Sequence, residues 1–109
     1  MTKGNVIRVM ENKDLCYFPE IKDEFHEYGH HGNYFFFVIK EDKEDEEEIL
    51  GYLIARKEKE KAVITKMHLF DEVEQKEVYR NTAMSNLYDY VKAIKNCDGK
   101  RRFFQVSVI

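Results

Sequence analysis

Met84-Ser-Asn-Leu-Tyr-Asp-Tyr-Val-Lys-Ala-Ile94 places Met84, Leu87, Val91 and Ile94 at steps of three, four and three. That is the period of a helix buried along one face. Ala83, Tyr88 and Tyr90 widen the stripe, Lys92 and Lys95 suit the last turns, and Asn96-Cys97-Asp98-Gly99 ends the helix. Runs of strand composition flank it. Upstream lies Ala62-Val-Ile-Thr-Lys-Met-His-Leu-Phe70, and downstream Arg102 to Ile109. A strand, a helix and a strand in succession predict a parallel pair joined by a right-handed crossover.

Farther upstream, Val6 to Met10 reads as a first strand and Asn12 to Asp14 as a turn. Leu15, Phe18, Ile21, Phe25 and Tyr28 recur at helical steps. Pro19 fits if the helix begins there. Glu20, Asp23 and Glu24 then suit the positive end of its dipole, and Gly29 stops it. Tyr34 to Ile39 and Ile49 to Ala55 are short apolar runs rich in strand formers. Between them, Glu41 to Glu48 holds seven acids in eight residues, which predicts a solvated hairpin loop. Lys57 to Lys61 alternates Lys and Glu as the next turn. The expected order is β-α-β-β-β-α-β in one α/β (α+β) domain, residues 1–109, with a mixed sheet. No internal repeat or linker divides the chain.

Composition bounds the function classes. Hydrophobic residues make up 43% of 109 residues, enough for one modest core and too many for a disordered chain. The formal net charge of −3 argues against a dedicated nucleic-acid binder. Cys16 and Cys97 match no metal-ligand spacing and read as reduced thiols. The start of the chain lacks the apolar stretch of a signal peptide, and no segment reaches the roughly 18 apolar residues of a membrane span. The expected location is the cytoplasm.

The element order, together with Ile49-Leu-Gly-Tyr-Leu-Ile-Ala55, Ala62-Val-Ile-Thr-Lys-Met-His-Leu69 and Val78-Tyr-Arg-Asn-Thr-Ala-Met-Ser85, resembles the core of the GNAT N-acetyltransferases. In that family a loop reading Arg/Gln-x-x-Gly-x-Gly/Ala opens the helix. Its backbone N–H groups hold the cofactor pyrophosphate with help from the helix dipole. The pantetheine arm lies between two splayed strands, here Ala62–Phe70 and Arg102–Ile109. The resemblance therefore implies acetyl-CoA as cofactor. It assigns Leu69, Arg80, Asn81, Thr82, Ala83, Met84 and Ser85 to its binding. Arg80 falls on the basic position, Ala83 and Ser85 fall where the family places Gly and then Gly or Ala, and Asn81 replaces a common Gly, whose lack of a side chain allows close backbone approach. The core ends at its fifth strand at Ile109, without the hairpin that often supplies a tyrosine general acid in the family.

Acetyl transfer needs an amine deprotonated, a carbonyl polarised and the two held together. His68 and Glu72 are the expected catalytic bases, with Glu74 nearby. The plain readings are an exposed strand residue for His68 and a solvated loop for Glu72 and Glu74. His26 and His30 are four apart but flank Gly29, and no third ligand is specified, so no metal site is expected. Phe35-Phe36-Phe37 reads as core strand, and Lys100-Arg101-Arg102 as a solvated turn. The implied function is an acetyl-CoA-dependent N-acyltransferase, its acceptor a small-molecule or protein amine. The alternative is a non-catalytic GNAT-like binding or regulatory module. An unpaired edge on the last strand offers a homodimer contact.

Overall fold

Phe35, Phe37 and Ile39 face one core and Phe36 and Val38 another, so the aromatic run belongs to a strand buried on both sides. The computed structural model describes residues 4–58, 61–97 and 105–108, without the side chains of 94–97 and 105. The Ile94 and Cys97 side chains, the triplet at 100–102 and the expected strand residues 102–104 and 109 lie outside the described residues.

Strands β1 (Ile7–Val9), β2 (Tyr34–Lys43), β3 (Glu46–Glu58), β4 (Lys61–Leu69) and β5 (Gln105–Val108) form one sheet in the order β1-β2-β3-β4-β5. Neighbours are antiparallel except β4 and β5, which are parallel, as the crossover pattern requires. Helix α1 (Lys22–Tyr28) covers one face and α2 (Lys76–Cys97) the other. On the α2 face, Tyr79, Ala83, Leu87 and Val91 join Phe37, Leu53, Ala55 and Ile64 in one buried cluster. On the α1 face, Phe18 packs edge-on to Tyr52 with ring centres 5.1 Å apart and stacks on Phe70 at 5.6 Å. No described helix is long and apolar enough to cross a membrane.

Three expectations change. The helix expected from Pro19 opens there as a 3₁₀ turn, Pro19–Ile21, and becomes α-helical only at Lys22, while Asn12–Tyr17 before it is a separate 3₁₀ turn. Pro19 is the physical reason, because the residue before a proline avoids helical dihedrals, and Phe18 sits at φ −135° and ψ 61°. The acidic segment 41–48 is not a loop. The β2–β3 ladder runs through it, leaving only Glu44 and Asp45 as the turn. Its charges are partly paired, Lys43 with Glu48 at 2.6 Å, Arg8 with Glu47 at 2.7 Å and Lys40 with Asp42 at 2.7 Å. Finally, α2 begins at Lys76, so residues 80–85 are helix rather than the loop before it.

One ion pair pins the first strand to the turn that follows. Arg8 grips the buried Asp14 with both terminal nitrogens, each at 2.8 Å, and the Glu11 N–H donates to the same carboxylate at 2.8 Å. Burial opposes the Asp14 charge, but the Arg8 fork and the Glu11 N–H outweigh it and hold its pKa below the usual carboxylate range. A depressed native pKa stabilises at pH values above the unfolded-state pKa, and that stability is lost as pH falls through the native value. Asp14→Asn should therefore lose about 1.5–3 kcal/mol at pH 7. It should also show a shallower acid limb below about pH 4 than the wild type in urea melts. Equal acid slopes would contradict this. Leu87 is fully buried, so Leu87→Ala should cost about 2–5 kcal/mol by the same measurement. A loss under about 0.5 kcal/mol would show the α2 face misassigned.

Candidate functional site

The β4–β5 ladder runs from Lys61↔Gln105 to Ile64↔Val108. At that point the β3–β4 register shifts, with Ala55 opposite Ile64 and Ile54 opposite Lys66, so Thr65 is the extra residue of a β-bulge. The Thr65 hydroxyl donates to the Ile54 carbonyl at 3.3 Å. A bulge bends its strand and increases the local twist. Beyond it a cleft of about 300 Å³ opens between β4, α2 and the end of β5. Thr65, Lys66 and Met67 line it from β4, Arg80 and Met84 from α2, and Val108 from β5.

Helical geometry sorts the candidate cofactor residues. Arg80 and Met84, four apart, share the face toward the cleft. Thr82 and Ala83 are buried, and Asn81 and Ser85 are exposed on the far side. Leu69 is buried in the core opposite Gly51. A side chain at Gly51 would run into the His68 carbonyl, so β3 and β4 approach closely there. The two catalytic candidates are not brought together. His68 is exposed on the α1 face, its ring 5.6 Å from Tyr52 and 6.0 Å from Phe70. Glu72 instead lines a separate cavity of about 330 Å³ at the start of α2, with Glu48, Glu74 and Tyr79.

Sequence reasoning missed the neighbours of His68. Lys66 projects on the same face and donates to Glu24 of α1 at 3.2 Å. The other Glu24 oxygen is shielded from solvent and has no hydrogen-bond partner. Burial, then the Glu20 and Glu24 charges, push the Tyr52 hydroxyl pKa up, so Tyr52 stays protonated at neutral pH. The alternation of Lys66 and His68 along β4 was the available signal; the pairing of Lys66 with α1 had none. His26, His30 and His31 are exposed, and among the described residues no three His, Cys, Asp or Glu side chains converge as metal ligands.

Among solved structures, the chain is similar to a chimera of the Vibrio cholerae spermidine N-acetyltransferase SpeG with hSSAT. The TM-score is 0.63 at 16% identity, covering 84% of this chain and 65% of that one. The chain has a GNAT fold. It is also similar to a tetramutant of the BH1408 protein from Bacillus halodurans, with a TM-score of 0.63 at 10% identity, covering 96% of this chain and 82% of that one. No family model matches the sequence, and no curated protein does. The chain thus spans under two thirds of the length of the acetyltransferase chimera.

A GNAT fold implies a coenzyme A diphosphate seated at the start of the helix after β4. The residues present do not fit it. Inside α2, the N–H groups of residues 81–85 are committed to carbonyls four residues back. At the actual helix start Glu77 lies in the first turn and Glu72 and Glu74 line the adjoining cavity, with Asp71 just before them in sequence. These acids suit the helix dipole but oppose a second anion. The Lys76 ammonium is spent on the Asp71 and Val73 carbonyls at 2.9 and 2.8 Å. The Val78 and Tyr79 N–H groups both reach the Gln75 carbonyl. Gln75 itself stands at φ 56°, a left-handed turn that fixes this start.

Introducing glycine should not rebuild the seat. Ala83→Gly with Ser85→Gly should lose up to about 2 kcal/mol, about 1 per helical glycine. It should gain no heat with acetyl-CoA by titration calorimetry. Tighter binding in the glycine variant would overturn this account of α2.

Proposed function

We propose that this chain is a GNAT-fold binding or regulatory domain that does not transfer acetyl groups. The observation that carries this reading is the unbroken course of α2 through Arg80 to Ser85, with acids gathered at its start. The backbone that would hold a diphosphate is occupied by the helix, and the nearby charge has the wrong sign. A reducing compartment such as the cytoplasm suits the exposed, unpaired Cys16 thiol. Val108, 58% exposed on β5, supports a homodimer contact along that strand.

A second reading, N-acyl transfer to a small-molecule or protein amine, has one observation in its favour. The cleft beside Met67 and Met84 adjoins β4, whose other face carries His68 and Lys66, next to Tyr52 of β3 and Glu24 of α1. His68 is the base in that reading and protonated Tyr52 a proton donor.

Calorimetric titration with acetyl-CoA separates the two. Non-catalytic binding predicts no saturable heat at millimolar cofactor and no coenzyme A release with polyamine or lysine-peptide acceptors. A ligand present at 100 times its dissociation constant stabilises by about 2.7 kcal/mol. A shift of that size with acetyl-CoA, accompanied by coenzyme A release, would establish the transferase instead.

A further inference from the structure

We propose that the cleft between β4, β5 and α2 receives an extended segment of a partner protein, added to β4 as a strand and carrying a carboxylate beside Arg80. The proposal rests on the reading that the domain binds without transferring. Beyond the Thr65 bulge, β4 keeps its β3 ladder on one side and meets the cleft on the other. A strand flanked by a cleft is a template for main-chain pairing, and side-chain pockets beside it set the preference. The pocket here is apolar at Ile64, Met67, Met84 and Val108. Methionines repack around varied side chains, which suits an apolar residue of the incoming strand.

Charge fixes the rest of the chemistry. Among the described residues, the ionisable groups lining this cleft are both cations, Arg80 on the α2 side and Lys66, whose side chain turns toward α1. Their described partners are the half-buried Glu24 at 3.2 Å from Lys66 and the exposed Glu77 at 3.3 Å from Arg80. The neighbouring cavity at the start of α2 carries three glutamates instead. An acidic residue on the incoming strand is therefore drawn to the β4–β5 cleft and away from its neighbour. Arg80 offers a planar fork that matches a carboxylate. At about 300 Å³ the cleft is at the small end of ligand sites, which suits one or two anchoring side chains on a strand rather than a whole folded partner.

The test follows backbone amide resonances of the ¹⁵N-labelled chain during titration with two octapeptide pools. Both are randomised over β-branched and polar residues; one carries a fixed central aspartate and the other asparagine. The aspartate pool should shift the amides of Thr65 to Leu69 and of Arg80. The asparagine pool, or Arg80→Gln with the aspartate pool, should bind about tenfold more weakly, the loss of one charge-assisted contact. Arg80 is partly exposed and outside the core, so the variant should keep the wild-type spectrum elsewhere. No shift on β4 with either pool at millimolar peptide would overturn the proposal. So would equal binding of the two pools, or S-acetyl-pantetheine shifting the β4 amides while both pools stay silent. Acetyl-CoA shifting the amides at residues 76–78 would instead overturn the non-catalytic reading itself, which keeps the two failures distinct.

Discussion

The packing of α2 against the sheet governs the rest of this molecule. Ala55 and Ala62 on the sheet and Ala83 on the helix are all fully buried in one cluster. Small side chains at that contact let the helix lie close to the strands. Leu87, Val91 and Tyr79 extend the same seam in both directions along the helix. Burying each large side chain contributes about 1.5–3 kcal/mol. Once nucleated, a helix propagates at little cost through residues of fair propensity. Asn81, Thr82, Ala83, Met84 and Ser85 include no glycine or proline to stop it.

From that seam follows the character of the site. The same backbone cannot donate its N–H groups to a bound diphosphate and to its own helical carbonyls. Here the helix takes them, and Tyr79 is buried one turn before Ala83 as part of the packing. Glu72, Glu74 and Glu77 near the helix start favour the dipole and oppose a phosphate. The cleft itself is the opening between β4 and β5. That opening depends on the bulge at Thr65, on a different part of the chain from residues 80–85 of α2.

The order of elements was legible because β2, β3 and β4 are runs of strand-forming residues and α2 carries an apolar stripe of helical period. The parallel β4–β5 pair followed from the crossover rule alone. The helix start was missed although Tyr79 lies four residues before Ala83 on the buried stripe, because the family's loop pattern was laid over residues 80–85. The acidic hairpin was misread because charge density says nothing about register. Arg8 reaches Glu47 from another strand, and Lys43 reaches Glu48 across the turn. For the site, Arg80 and Met84 do reach the cleft, by helical spacing rather than by loop geometry. The bulge, the Glu24–Lys66 pair and the isolation of Glu72 from His68 depend on tertiary contacts that no local pattern encodes.

Amide hydrogen exchange at residues 76–91, with and without millimolar acetyl-CoA, tests the continuity of α2 most directly. Exchange reports whether each N–H is bonded within the helix or open to a ligand. The structure predicts that Asn81 to Ser85 are protected to the same degree as Leu87 to Val91, and that acetyl-CoA changes none of them. Rapid exchange at Asn81 to Ser85 in the free protein, slowed on addition of acetyl-CoA, would contradict it and restore this segment as a cofactor loop.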